Sequence, residues 1–202
     1  PGAPELCDGK DNDGDGIIDN ECCPDGQMGI LYVNASATGI NSGVSWEHAF
    51  TSLQAALTAA KKCPLVTQIW VAKGTYYPSE NQFGQTTPAD PRTKSFAMQN
   101  DLAIYGGFAG NEPSDFNLSN REMISNKTEL SGEIQQDNLI HNNAYHVILN
   151  FPPYENPLNH TAVLDGFTIV GGAATLLVDN TDAHLPHSFG GGMMTYGSTP
   201  TI

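Results

Sequence analysis

The sequence predicts a coiled, all-β architecture over most of its length, on three observations. Beyond residue 65, short apolar segments (TQIWVAKGTYYP, SFAMQNDLAIYGGF, NKTELSGEI, AYHVILN, TAVLDGFTIVGGAA and FGGGMMTYG) are punctuated by Gly, Asn, Asp and Pro, as strands are by turns. No second helical pattern separates them, which argues against βαβ units. Each segment is too short to bury a face of its own, and several share an xVxGxxV-like form. Successive turns of a coil would therefore have to stack to make a core.

Composition bounds the rest. The 202 residues carry 22 acidic against 8 basic side chains, a net charge of −14, so there is no basic stripe to neutralise phosphates and nucleic acid is excluded as a partner. Apolar residues make up 39%, enough for one packed domain with a small appendage. The apolar runs are far shorter than the roughly 20 residues of a membrane helix, so a soluble chain with no membrane span is expected. The opening Pro-Gly-Ala-Pro has neither a charged nor an apolar leader, and the chain reads as a mature or trimmed product.

Residues 1–26 stand apart. Residues 7–22 read CDGKDNDGDGIIDNEC, a density of carboxylates that repels itself unless a cation sits among them. Against a twelve-residue calcium loop starting at Asp11, carboxylates fall at positions 1, 3, 5 and 9 (Asp11, Asp13, Asp15 and Asp19). Ile17 falls at position 7, where the backbone carbonyl is the ligand, and Gly16 at position 6, where the chain turns sharply. Alternation suits a hard cation that wants six to eight oxygens, because a chain curling around it presents alternate side chains inward. The segment resembles the calcium loops of thrombospondin type 3 and dockerin-like modules. It departs from them at position 12, where Cys22 stands in place of a bidentate carboxylate; Glu21, Asp25 and Asp8 are candidates for the missing oxygen. A solvated acidic linker is the bland alternative.

Four cysteines suggest an oxidising compartment. A bond between the neighbours Cys22 and Cys23 is sterically poor, so Cys7 with Cys22 and Cys23 with Cys63 is the expected pairing, with free buried thiols as the alternative. Zinc finds no CxxC or HxxxH spacing. Residues 27–64 then supply a strand over Ile30 to Val33 and one helix within SWEHAFTSLQAALTAAKK. There Trp46, Ala49, Phe50, Leu53, Ala56, Leu57 and Ala60 recur at helical spacing on one face. Lys61 and Lys62 suit its carbonyl end, and Cys63-Pro64 stops it. Such a helix is expected to cover the open end of a strand stack.

From Trp46 through SLQAALTAA, IWVAKGTYYP, IYGGFAGNE, Arg121, TELSGEI and AVLDGFTIVGG to GGGMMTYGSTPTI, the order of segments resembles the start of secreted bacterial right-handed parallel β-helix proteins of the pectin-lyase-like superfamily. The resemblance covers roughly residues 30 to 202. It implies an all-β, right-handed parallel β-helix over residues 65–202 with an N-terminal capping helix, truncated or completed by another chain; the acidic loop over residues 1–26 adds a small calcium-binding appendage on its own evidence.

Relatives in that superfamily include lyases and glycoside hydrolases. The candidate carboxylates are Asp101, Glu129, Glu133, Asp137 and Asp165, with Arg121, Arg92, Lys94 and Lys127 as candidate bases. They match no lyase motif, and Asp165 beside Gly166 reads as a turn former. His184 and His187 with Asp179 and Asp182 could form a second metal site or a polar loop. Tyr76, Tyr77, Tyr105 and Tyr145 could offer a sugar platform or stack inward. The expected function is a non-enzymatic extracellular structural or adhesive surface protein, stabilised by Ca2+, with surface polysaccharide or other copies of itself as partners. Head-to-tail assembly into a filament follows if no cap succeeds GGGMMTYGSTPTI. The alternatives are a polysaccharide lyase or glycoside hydrolase, and a carbohydrate-binding module.

Overall fold

The computed structural model describes residues 14, 16, 23, 29–151, 156–175 and 189–202. Within them the chain is rich in strands, with one α-helix: β1 (Gly29–Val33), α1 (Leu53–Lys62), β2 (Val66–Ala72), β3 (Gly74–Tyr76), β4 (Ala103–Phe108), β5 (Thr128–Ser131), β6 (Ile148–Asn150), β7 (Val163–Asp165), β8 (Phe167–Val170) and β9 (Met193–Thr195). What the structure shares with the all-β expectation is its richness in strands, arranged as short parallel sheets with one helix packed among them.

The sheets follow the orders β1-β2-β4-β7, β3-β5-β8 and β6-β9, with every strand pair parallel. The chain visits them in turn. β2 and β3 are consecutive yet do not pair, because Lys73 is the only residue between them and the backbone changes sheet there. Each strand takes its partner from the next visit to its own sheet. Phe96 extends the third sheet by a parallel bridge to Ile148, and Thr201 adds to the first beside Val163.

Register explains the core. Leu31, Ile69, Ile104 and Leu164 stand opposite one another along the first sheet, each at most 4% exposed. Tyr76, Leu130 and Ile169 do the same in the second sheet, and Phe96, Ile148 and Met193 in the third. All ten belong to or pack against one interior cluster. No strand buries enough apolar area alone; the stacked ladder does, at about 1.5–3 kcal/mol for each large side chain removed from water. Asn150 is one of the buried polar residues. Its amide accepts from the Met98 N–H at 3.0 Å and donates to Thr195 Oγ1 at 3.2 Å, which ties three visits to the third sheet together.

The neighbouring residues on the first sheet, Tyr32, Trp70 and Tyr105, belong to a second apolar layer on its other side. Trp46, Ala49, Phe108 and Phe116 complete that layer, and the Trp70 and Phe108 rings stack at 4.7 Å. The sheet is thus apolar on both faces, which is why LYV, IWVA and IYGGF read as unbroken apolar runs.

The helix is shorter than its spacing predicts. It begins at Leu53; Trp46 and Ala49 lie in the outer layer, and Phe50 bridges β1. The reason lies in the free edge of β1. The Phe50 N–H donates to the Tyr32 carbonyl, the Asn34 N–H donates to Phe50 and the Tyr32 N–H donates to Gly43, so a segment of bends and a turn satisfies the edge through Gly43 and the bridging Phe50 and is not helical. Leu53, Ala56, Leu57 and Ala60 supply only the apolar cover. Lys61 and Lys62 occupy the last turn and Cys63 the C-cap. Cys63 is bonded to Cys23, with Cα atoms 4.9 Å apart and a sequence separation of 40, a loop whose closure removes about 4 kcal/mol of unfolded-state entropy in the chain-entropy account. The expected Cys7 to Cys22 bond lies outside the described residues.

Candidate functional site

The predicted calcium ligands Asp11, Asp13, Asp15, Ile17 and Asp19 lie outside the described residues, as do His184, His187, Asp179 and Asp182. Of the acidic loop only Gly14 and Gly16 are described. Both have left-handed backbones, with φ of +78° and +90°, the conformation that a sharply turning loop asks of glycine. Among the described residues no group of three His, Cys, Asp or Glu side chains is placed to hold a metal, and no helix is long and apolar enough to cross a membrane.

The candidate bases converge on carbonyls and rings. Arg121 follows a tight turn over Leu118–Asn120, which aims its side chain back at the first sheet, where it is 6% exposed. Its Nε donates to the Leu118 carbonyl at 2.9 Å, Nη1 to the Gly106 carbonyl at 3.0 Å and Nη2 to Asp165 Oδ2 at 2.6 Å. The guanidinium lies 5.0 Å from the Tyr105 ring centre and 5.9 Å from that of Phe108, closing the outer apolar layer as a cation over π faces. Asp165, the last residue of β7, precedes Gly166 at φ +84°, so the corner expected there is present and its carboxylate faces Arg121.

Arg92 plays the same part elsewhere. Its Nε donates to Asn143 O at 2.8 Å, Nη2 to Ala173 O at 2.6 Å and to Thr175 Oγ1 at 3.0 Å, and the group sits 4.0 Å over the Tyr145 ring. The Tyr145 hydroxyl donates to Asp90. Lys127 pairs with Glu129 across a largely exposed surface. Glu133 and Asp137 form a turn, in which Asp137 accepts from the Leu139 N–H and from Asn142. Desolvation pushes the Asp137 carboxyl up, but these hydrogen bonds outweigh it and hold the group below its usual range. The Asp101 backbone is left-handed, at φ 59°, and its N–H donates to Thr161.

Of the four tyrosines, Tyr76 is inward. It is 3% exposed, donates to the Ala72 carbonyl and accepts from the Ala35 N–H. Burial pushes its hydroxyl up to about 12 against the lowering effect of Ala35, so it is a neutral strut. Tyr145 is 4% exposed beneath Arg92, whereas Tyr105 and Tyr77 are half-buried, with Arg121 over the Tyr105 ring. The buried histidine is His146. Its Nδ1 lies 3.1 Å from the Gly190 carbonyl, which can only accept, so Nδ1 carries the proton.

What sequence reasoning missed is the outer aromatic layer and Arg121, which closes it. The signal was the apolar runs LYV, IWVA and IYGGF in β1, β2 and β4, which carry apolar side chains on both parities. No known protein family matches this chain, and no curated protein or solved structure is a match for it either.

Proposed function

We propose that this chain is a non-enzymatic extracellular structural or adhesive surface protein: a parallel β-helix whose turns run through the three sheets in succession, covered at its first turn by α1 and stiffened at its N-terminal segment by Ca2+. The observation that supports the structural reading best is the use of its arginines. Both arginines of the chain are engaged with main-chain carbonyls and ring faces that join successive turns. Lys127 is paired with Glu129. Three of the four groups that a β-helix lyase could use as base are therefore fastenings. An extracellular place is supported by the Cys23–Cys63 bond, which persists only where thiols are oxidised. Calcium rests on the alternating carboxylates and on the two left-handed glycines between them.

The full chain incubated with polygalacturonate and with a neutral glucan, with and without Ca2+, tests the reading. Neither unsaturated products nor new reducing ends are expected to accumulate. Sustained turnover that disappears in the Lys94→Met variant would instead make the chain a lyase or hydrolase.

A further inference from the structure

The side of α1 turned away from the interior, the loop over residues 80–84 and the stretch 95–101 enclose a groove of about 740 Å³. Two polar atoms in its lining have no hydrogen-bond partner among the described residues. Ser95 is 3% exposed; its N–H is taken by the Glu80 carbonyl, but its hydroxyl has no bond. The buried Oε1 of Gln54, on the first turn of α1, has none either. Buried polar atoms are nearly always hydrogen-bonded, and of the five such orphans among the described residues these two line one groove, where a ligand offering both a donor and an acceptor would satisfy them. Phe83 lines the same groove and is 77% exposed, a largely solvent-facing apolar ring.

We infer that this groove binds a neutral saccharide. A sugar hydroxyl donates to Gln54 Oε1 and another accepts from the Ser95 hydroxyl, while an apolar sugar face lies on the Phe83 ring. Charge selects the neutral class. The groove has Lys61 against Glu80 and Asp101, on a chain of net charge −14, and this field opposes uronates and other anions. The site goes beyond the scaffold reading and does not depend on it, since binding without turnover leaves that reading untouched.

Titration calorimetry of the full chain with cellotetraose, maltotetraose and xylotetraose tests the site, with tetragalacturonate as the anionic probe. At least one neutral probe is expected to bind at millimolar concentration or tighter, and more tightly than tetragalacturonate. Phe83→Ala and Ser95→Ala are each expected to weaken that binding by about tenfold. Phe83 is exposed, so its variant keeps the test decisive even if Ser95→Ala fails to fold. Absence of binding by all three neutral probes, a tighter hold on tetragalacturonate, or an affinity unmoved by Phe83→Ala would overturn the inference.

Discussion

Arg121 satisfies two carbonyls and a carboxylate while covering two rings, so Arg121→Met should lower the unfolding free energy by about 2–3 kcal/mol. Asp165→Asn removes only the partner whose side chain is 44% exposed, and should cost about 1 kcal/mol or less. Denaturant titration of the two variants checks the order; equal losses would show that the ion pair, and not the carbonyl and ring contacts, holds the loop. His146 makes a separate prediction about pH. Burial lowers its proton affinity from the ordinary 6.5, and the Gly190 carbonyl opposes this only in part. The folded chain therefore binds the proton less readily than the unfolded chain. Stability is complete above the ordinary histidine range and falls as pH drops through it. Melting temperature should decline from about pH 7 to about pH 5, and less steeply in His146→Gln. Identical slopes in the two proteins would remove His146 from the explanation.

Between elements, the closest backbone approach at the first corner involves two glycines. A Cβ on Gly106 would lie 2.5 Å from the Gly166 carbonyl oxygen and 3.0 Å from Thr128 Cβ, whereas one on Gly192 would meet nothing nearer than a 3.6 Å contact with Ile169. Gly106→Ala is expected to destabilise by about 1–3 kcal/mol through overpacking, with Gly192→Ala nearly neutral; comparable thermal shifts would mean that the turns are not stacked so closely. Such contacts were not legible in the sequence. Turn residues marked where strands lie, and each of the six apolar segments contains a strand or, around Phe96, a bridge. Period-two alternation tells which face a side chain takes but not which strand stands opposite, because partners here are some 35 to 60 residues apart and their spacing is set by loops of unequal length. The helix start was overread for a similar reason. Phe50 fits helical spacing, yet its backbone closes the edge of β1, a tertiary demand that local pattern does not carry. The outer layer was written in LYV and IWVA, but an apolar run on both faces looks the same as a strongly apolar single face until a second covering element is found.

Over the whole molecule, a net charge of −14 repels itself, and the densest part of it is residues 7–22. If Ca2+ neutralises that segment, it binds the folded chain and stabilises it by mass action. Calcium should raise the melting temperature over that in chelator, and Asp13→Ala or Asp15→Ala should reduce the gain by removing one of about seven oxygens; equal melting in calcium and chelator would end the proposal. The central claim is that from β2 onward no strand pairs with the next strand in sequence, and each pairs in parallel with an earlier or later strand of its own sheet. Cross-strand backbone proton contacts in solution NMR test it most directly. The expected contacts place Ile104 between Ile69 and Leu164, and Glu129 between Thr75 and Thr168. A hairpin pattern, with residues of β2 facing those of β3 across Lys73 in antiparallel order, would contradict it.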